Sequence, residues 1–275
     1  LGPDIARLHP VHRRVEGVRI RNPEIAEMRD HPVVEPPGKG PAAAKLVFAE
    51  AIKRAGLEPS DIQHAVLGQV VPTMPKDAYT VRVAAVNAGI PVSAPAFQVN
   101  RLCGSGLQAI VSAAQTIALG EADITIAGGA EVMTRAPHFV NAARFGQKLG
   151  DITMTDAILG ALQDPFENIH MGVTAENVAA DLGITRADQD ELAAESHKRA
   201  ANAIAQGYFK DQILTVEIKT RKGVVMFDTD EYPKHGTTVE TLAALRPAFD
   251  KAGTVTAGNA SGLNDGAAAV MLMSA

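Results

Sequence analysis

The chain has 275 residues, of which 46% are hydrophobic and 21% charged, a composition typical of a globular protein that buries a large core. At roughly 150 residues per domain, this length fits one large domain or two small ones, and the composition excludes a disordered or low-complexity chain. The 31 acidic and 26 basic residues leave a formal charge of −5. Such a charge repels phosphate backbones and anionic bilayers, so we expect neither a nucleic-acid nor a membrane partner.

The cysteine count and the chain ends bear on location and completeness. A single cysteine, Cys103, excludes an intrachain disulfide. No apolar run approaches the ~18 residues of a membrane span, and the first thirty residues are too charged for a signal peptide, so the expected location is the cytoplasm. The chain begins with Leu1 and stops at Ala275 just after an apolar run, and we therefore expect a fragment.

Secondary structure is predicted to change character near residue 40. Residues 1–40 are rich in proline and arginine without a sustained hydrophobic period, which predicts an irregular arm with one short strand over Val15 to Ile20. From Pro41 onward, helical patterns alternate with buried-strand patterns. Helices are predicted over residues 41–55, 79–88 and 107–119, and strands over residues 64–70, 96–99 and 123–127. This alternation predicts a largely parallel α/β sheet.

After Glu131 the alternation lapses, and it returns only near residue 267. The patterns between predict helices over residues 155–162, 174–182 and 186–206 and a hairpin of residues 213–219 and 224–227. Residues 267–273 again have a buried-strand pattern. A second lobe inserted between two strands of one sheet explains the return, so we expect residues 123–127 and 267–273 to share a sheet.

The segment NRLCGSGL, residues 100–107, places the single cysteine where a predicted strand ends and a helix begins. Helix N-terminal N–H groups and the helix dipole favour a thiolate there, and the same groups can hold an oxyanion. Gly104 and Gly106 would let a thioester approach the backbone closely. A lone cysteine is more often a small buried hydrophobic residue, but this strand-to-helix glycine setting favours a nucleophile.

Two other interpretations compete for the same residues. GSGLQA, residues 104–109, fits a dinucleotide-binding fingerprint and would indicate a nucleotide-binding oxidoreductase. The acid that should end the next strand has no good counterpart, because Glu121 and Asp123 precede or begin that strand. A papain-like protease would need a second cysteine beside an aromatic residue, and the chain has one cysteine and no tryptophan.

Five motifs in order resemble the thiolases. They are NRLCGSG at 100–106, AGGAE at 127–131, HMG followed by TAEN within 170–177, RPAF at 246–249 and TVTAGNASGLNDGAA at 254–268. The likeness runs from about Pro41 to the end of the chain, and it is greatest to bacterial biosynthetic, polyhydroxyalkanoate-related β-ketothiolases. Asn264 and Asp265 lie in the Gly-rich stretch, where we interpret them as turn residues rather than catalytic ones.

The resemblance implies a thiolase-like α/β fold. In that fold, an N-terminal layered half with an inserted coenzyme A-binding loop lobe is followed by a similar C-terminal half. On this basis residues 41–130 and 261–275 are expected to form the N-terminal α/β domain and residues 131–260 the inserted lobe. Residues 1–40 would be an arm without a family match, and the C-terminal half would be missing.

The resemblance also implies an activity, that of an acyl-CoA C-acyltransferase. Such an enzyme catalyses reversible Claisen condensation or thiolysis of 3-ketoacyl-CoA through an acyl-Cys103 intermediate. The family positions that contact coenzyme A match Leu162, His170 and Met171 in the pantetheine and acyl pocket, Ser261 beside the pantetheine, and Lys234 near the adenine end. Coenzyme A and acyl-CoA are then substrates, and neither a permanently bound cofactor nor a metal is expected. Thiolase relatives are dimers or tetramers, so we expect a homodimer or homotetramer.

The sequence departs from the family pattern in three places. The family's opening strand, expected at the centre of the sheet, ends in an Ala-Arg-Thr-Pro-like turn that residues 1–40 lack. The general-base histidine of a Gly-His-Pro motif has no match, because His9 and His31 precede prolines but follow Leu8 and Asp30. A second catalytic cysteine cannot exist beside Cys103. We therefore expect a chain incomplete for turnover; the alternative is a non-catalytic fragment or pseudoenzyme that binds coenzyme A or a thiolase subunit.

Overall fold

The computed structural model describes residues 17–21, 40–221 and 223–274, with only the backbone described for residues 17–21. The strands are β1 (Gly17–Arg21), β2 (His64–Gly68), β3 (Ala96–Val99), β4 (Ile124–Val132), β5 (His138–Phe139), β6 (Thr155–Asp156), β7 (Val216–Thr220), β8 (Gly223–Phe227) and β9 (Asp265–Met273). The helices are α1 (Gly40–Arg54), α2 (Thr80–Asn87), α3 (Ser105–Ala118), α4 (Ala157–Ala161), α5 (Met171–Leu182), α6 (Arg186–Ala205) and α7 (Val239–Ala243).

A five-stranded mixed sheet organises the chain, with strand order β1-β9-β4-β2-β3. Strand β2 pairs in parallel with β3 and β4, whereas β9 runs antiparallel to both β4 and β1. Four of the five strands therefore run in the same direction, as the prediction of a largely parallel sheet requires, and β9 is the exception. Strand β9 starts beside the end of β4, with Asp265 opposite Val132, so it runs back along β4. The same pairing confirms that residues 123–127 and 267–273 lie in one sheet.

Strand β1 lies at one edge of the sheet, next to β9, with Gly17 opposite Val270. The short strand expected over residues 15–20 is thus found at Gly17–Arg21, while residues 15 and 16 lie outside the described residues. Strand β9 occupies the place between β1 and β4, so β1 is not central in the sheet.

Helices cover both faces of the sheet. Helices α1 and α2 pack on one face in a core that includes Phe48, Ile52, Leu67, Ile126 and Met271. Helix α3 packs on the other face, where Ala109 and Ala113 contact Val66 and Ala127. Because side chains alternate between the faces of a strand, neighbours such as Val66 and Leu67 belong to different layers. The small side chains on α3 bring that helix close to the sheet.

The predicted helices and strands occur in the predicted order, with shifted ends. Strand β4 is longer than predicted and continues to Val132 through Gly128 and Gly129. A Cβ atom at Gly128 would overlap the carbonyl group of Ala268 on β9, so glycine is required for the pairing rather than ending the strand. The helix predicted over 155–162 is only Ala157–Ala161, because residues 155–156 pair with residues 138–139 as a small sheet.

The segment between β4 and β9 holds four helices and the hairpin β7–β8. Thr185 caps the N-terminus of helix α6, as the sequence predicts. Its hydroxyl accepts the Asp188 N–H, and the Asp188 carboxylate accepts the Thr185 N–H. The division of the chain at residues 131 and 261 stays a prediction. Within the described ranges, no helix is long and apolar enough to cross a bilayer.

Candidate active site

Cys103 is exposed in a tight turn between β3 and the first turn of α3. The residue before it, Leu102, has a φ of 48°, a left-handed conformation that is strained for a side chain with a Cβ atom. Two contacts hold this conformation: the Leu102 N–H donates to Asn100 Oδ1 at 3.0 Å, and the Ser105 hydroxyl donates to the Leu102 carbonyl at 2.6 Å. The turn therefore presents the thiol outward at the N-terminus of α3.

Some backbone donors of this turn are already engaged. The Gly104 N–H donates to the Arg101 carbonyl at 3.1 Å, and the Ser105 N–H donates to the Leu102 carbonyl at 2.9 Å. The expectation that the helix N-terminal N–H groups hold an oxyanion therefore does not extend to these two groups, because their hydrogens lie within the turn.

Glycines allow α3 to approach the sheet where the cysteine lies. A Cβ atom on Gly68, at the end of β2, would lie 2.5 Å from the Ser105 carbonyl carbon. One on Gly129 of β4 would lie 3.6 Å from the Gly106 Cα atom. Gly106 itself has nothing within 4 Å of its ideal Cβ position, so its outer side is open. Because these glycines lack side chains, the first turn of α3 lies close to β2 and β4, and Gly106 stays open on its outer side.

An open cleft of about 390 Å³ lies at this point. Its lining includes Cys103, the four glycines 68, 106, 129 and 266, and Glu131. Val70, Leu102, Ser105 and residues 130, 267 and 268 complete the wall. A largely glycine and alanine wall leaves room for an extended thioester arm beside the thiol.

Glu131 is the carboxylate of this cleft. Its two oxygens accept the N–H groups of Val70 at 2.8 Å and Val71 at 3.0 Å. Burial raises the pKa of Glu131; the two backbone hydrogen bonds oppose that rise, and the nearby carboxylates of Asp265 and Asp77 add to it.

Asp265 is not the turn residue that the sequence suggests. It is the first residue of β9, it is buried, and its carboxylate accepts the Thr134 N–H at 3.0 Å and the Thr134 hydroxyl at 2.5 Å. Asp265 therefore links the start of β9 to Thr134, which follows the end of β4. Asn264 does have a local role, since its side-chain amide donates to the Gly262 carbonyl at 3.1 Å.

Leu162, His170 and Met171 lie close together in the structure. The Met171 N–H donates to the Leu162 carbonyl at 2.8 Å. His170 caps α5, its Nδ1 accepting the Gly172 N–H at 3.0 Å, so a neutral ring carries its proton on Nε2. Leu162 and Val70 pack against the same small apolar cluster, and Val70 also lines the Cys103 cleft. Leu162, His170 and Met171 do not themselves line that cleft.

Lys234 and Ser261 form a second group, centred on Tyr232. The Tyr232 hydroxyl donates to the Ala260 carbonyl at 3.2 Å, and a Cβ atom at Gly262 would overlap the tyrosine ring. Ser261 lies between those two positions. Both Lys234 and Ser261 are exposed, and neither lines the Cys103 cleft.

Two carboxylates hold residues 254–259 of the Gly-rich motif in place. Glu176 on α5 accepts the N–H groups of Thr254 and Val255 and the Thr254 hydroxyl, all within 2.9 Å. Burial raises the pKa of Glu176, but these hydrogen bonds outweigh it and leave the pKa lowered. Buried Asp190 on α6 pairs with Arg186 at 2.7 Å and accepts the Asn259 amide at 2.9 Å. The Gly-rich motif is therefore fastened to the helices rather than free.

Comparison with known proteins identifies the family. Residues 43–275 match the thiolase N-terminal domain family. The chain belongs to the thiolases. It is 60% identical over 229 residues to beta-ketothiolase BktB of Cupriavidus necator, which covers 83% of this chain and 58% of that protein. It is 47% identical over 229 residues to an acetyl-CoA acetyltransferase of Paracoccus denitrificans, with 83% and 58% covered. The thiolase chain thus spans about 58% of the length of these relatives.

Solved thiolase structures share the fold. The Bacillus anthracis acetyl-CoA acetyltransferase matches with a TM-score of 0.84 at 41% identity, over 94% of this chain and 64% of that one. Human mitochondrial 3-ketoacyl-CoA thiolase in complex with CoA matches with a TM-score of 0.82 at 37% identity, over 86% of this chain and 59% of that one. The expected thiolase-like fold is confirmed.

Sequence reasoning misses the contacts of Glu131 with the N–H groups of Val70 and Val71, and the stacking of the Phe249 ring on the His170 imidazole in this thiolase chain. Both lie in family motifs, AGGAE and RPAF, but the motifs alone assign neither residue a contact. An acid at the end of an apolar strand is a usable signal for Glu131, because a carboxylate there needs buried partners. Among the described residues, no group of three His, Cys, Asp or Glu side chains is placed to hold a metal ion.

Proposed function

We propose that this thiolase chain accepts an acyl group from acyl-CoA on Cys103. The observation that carries the proposal is the exposed thiol in a glycine-lined cleft at the N-terminus of α3. The open side of Gly106 leaves space for the incoming thioester beside the thiol.

The chemical step follows from these groups. The Cys103 thiolate attacks the carbonyl carbon of the thioester, a carbon–sulfur bond forms, and the bond to coenzyme A breaks. Coenzyme A leaves as a thiolate that takes up a proton, and the acyl group stays on Cys103. In the second stage that the thiolase resemblance implies, a second acyl-CoA, deprotonated at its α-carbon, takes the acyl group and yields a 3-ketoacyl-CoA.

Coenzyme A would extend from the cleft along the residues matched by resemblance. For the pantetheine and acyl pocket, the support is that Met171 is hydrogen-bonded to Leu162, and that Leu162 packs against the same apolar cluster as Val70 of the cleft wall. His170 lies next to Met171 at the start of α5. Ser261 and Lys234 lie together around Tyr232, and an exposed cation suits the charged nucleotide end. The relative solved in complex with CoA adds support for a CoA substrate.

Turnover by this chain alone is not expected. The resemblance assigns proton transfer to a Gly-His-Pro histidine and to a second cysteine, and this sequence contains neither. Positioned proton transfer is typically worth ~10² to 10⁴ in rate. We expect acylation without completed condensation or thiolysis.

Intact-mass spectrometry after incubation with acetyl-CoA tests the proposal. The wild-type chain should gain one acetyl group, mapped to Cys103, whereas Cys103→Ala should gain none. No adduct, or the same adduct on Cys103→Ala, would contradict acyl transfer. If calorimetry then showed coenzyme A binding without acylation, the non-catalytic alternative would replace it. Thermal protection by NAD and not by coenzyme A would instead favour the oxidoreductase interpretation.

Self-association and a cytoplasmic location complete the proposal. The outer face of α3 exposes Leu107, Val111 and Leu119, which favours contact with another apolar surface. We propose a homodimer or homotetramer, and a clean monomer by light scattering at high micromolar concentration would contradict it. The single cysteine supports the cytoplasm, because it leaves no intrachain disulfide.

A further inference from the structure

We propose that Glu131 is a positioning residue for Cys103, acting through Val70 and Asn100 on the turn that presents the thiol. The inference rests on the proposed acyl-accepting role of Cys103. It adds a residue that does not itself touch the reacting atoms.

The first link joins Glu131 to the chain that follows β2. Both carboxylate oxygens are used, one on the Val70 N–H at 2.8 Å and one on the Val71 N–H at 3.0 Å. Hydrogen bonds to an ionised acceptor are stronger than neutral ones, and two of them fix both the position and the direction of this segment.

The second link joins that segment to the cysteine turn. The Asn100 side-chain amide donates to the Val70 carbonyl at 3.2 Å, and its oxygen accepts the Leu102 N–H at 3.0 Å. Asn100 therefore spans from the residue that Glu131 holds to the residue that precedes Cys103. Because Leu102 has a φ of 48°, the surrounding contacts must maintain its conformation.

The protonation state of Glu131 determines how strongly its side chain binds the N–H groups of Val70 and Val71. A carboxylate accepts both N–H groups, whereas a carboxylic acid or an amide turns one donor of its own toward these two donors. The titratable groups that act on Glu131 are Asp265 of β9 and Asp77 in the turn before α2. Burial and the two acids raise the pKa of Glu131, so it takes up a proton at a higher pH than an ordinary glutamate.

Alkylation of the full chain by iodoacetamide tests the inference, because Cys103 is the only cysteine. We expect Glu131→Gln to slow alkylation at neutral pH by roughly tenfold, the factor that corresponds to weakening a charge-assisted hydrogen bond. Glu176→Gln is the matched control. Glu176 also accepts two successive backbone N–H groups, at Thr254 and Val255, but away from the cleft, so its variant should alkylate at the wild-type rate.

Two further readouts separate positioning from a general loss of structure. The ratio of wild-type to Glu131→Gln rates should approach one as the pH falls through the raised pKa of Glu131, because the wild-type side chain then becomes neutral. Asn100→Ala should slow alkylation too. The double variant should be no slower than the slower single variant, because both changes break the same series of hydrogen bonds between Glu131 and Leu102.

Other results would overturn the inference. An unchanged alkylation rate in Glu131→Gln overturns the inference, and so does a pH-independent slowing that adds fully to that of Asn100→Ala. If Glu131→Gln does not fold, the ratio of wild-type to Asn100→Ala rates decides: it must fall toward one at acid pH, and a constant ratio overturns the inference. Acetylation by acetyl-CoA is measured separately, so failure of the proposed function and failure of positioning are distinguishable.

Discussion

The imidazole of His170 stacks on the ring of Phe249, with ring centroids 4.7 Å apart and planes inclined by 23°. This contact joins the start of α5 to the RPAF motif far along the thiolase chain. The Phe249 ring also fills the space beside Gly172, where an added Cβ atom would overlap it. The contact brings together HMG and RPAF, two motifs that are separate in the sequence.

Truncating this aromatic contact should destabilise the chain. We expect Phe249→Ala to lower the free energy of unfolding by about 1–2 kcal/mol, less than for a fully buried phenylalanine because the ring is 37% exposed. Urea denaturation measures it. Phe145→Ala, which removes a ring that is 92% exposed, is the matched control and should leave stability unchanged. Equal effects of the two variants would show that the stacking contributes nothing.

The ion pair between Arg186 and buried Asp190 on α6 should stabilise the segment between β4 and β9. Arg186→Ala leaves the Asp190 carboxylate buried without its cation, so we expect a loss of about 3 kcal/mol in unfolding free energy. Arg186 also donates to the carbonyls of Leu242 and Leu245, which adds to the loss. Arg199→Ala breaks an exposed pair with Glu195 at the same spacing on the same helix, and it should change stability little. Similar losses in both variants would contradict the role of burial.

Glu176 should make stability depend on pH. Its folded pKa lies below the ordinary value of 4.5, so its stabilising contribution is complete above about pH 4.5 and is lost as the pH falls through the folded pKa. We expect the stability difference between wild type and Glu176→Gln to be largest at neutral pH and to shrink below pH 4.5. Chemical denaturation at a series of pH values measures it. A difference that stays constant with pH would argue against the hydrogen-bonded carboxylate.

The close approach of α3 to β2 should not tolerate a methyl group. Gly68→Ala places a Cβ atom 2.5 Å from the Ser105 carbonyl carbon and 2.7 Å from the Gly106 nitrogen, so the first turn of α3 must move. We expect a loss of about 1–3 kcal/mol in unfolding free energy together with slower alkylation of Cys103. Gly106→Ala is the control: its Cβ meets nothing within 4 Å, and alanine favours a helix, so stability should hold or rise. A stable, rapidly alkylated Gly68→Ala variant would contradict the geometry.

Some of the site is predictable because its signals are local. The strand, the NRLCGSGL segment and the helix that follows lie within about twenty consecutive residues of the thiolase sequence, and the structure puts Cys103 at the N-terminus of α3 as expected. The capping box at Thr185 and Asp188 is equally local, because its two residues lie three positions apart. Hydrophobic periodicity and turn chemistry act over such distances, so they can be deduced from the sequence.

Other parts of the site depend on residues distant in the chain. Glu131 and Val70 are 61 positions apart, and Glu176 and Thr254 are 78 apart. Each acid belongs to a family motif, but a motif names a residue without naming its partner. The turn prediction for Asp265 is wrong for this reason: its sequence neighbours suggest a turn, whereas its partner Thr134 lies 131 positions away and makes it an anchor between two strands.

The sequence by itself determined the order of helices and strands, the place of the cysteine just before α3, and the family, because periodicity, glycine placement and motif order are properties of the chain as written. Only the tertiary structure decided that β9 enters antiparallel between β4 and β1, and that Glu131 reaches the cysteine turn through Val70 and Asn100. The physical reason is that a strand's direction and a buried carboxylate's partners are set by what packs beside them. Those neighbours are brought together by folding, at separations that no local pattern encodes.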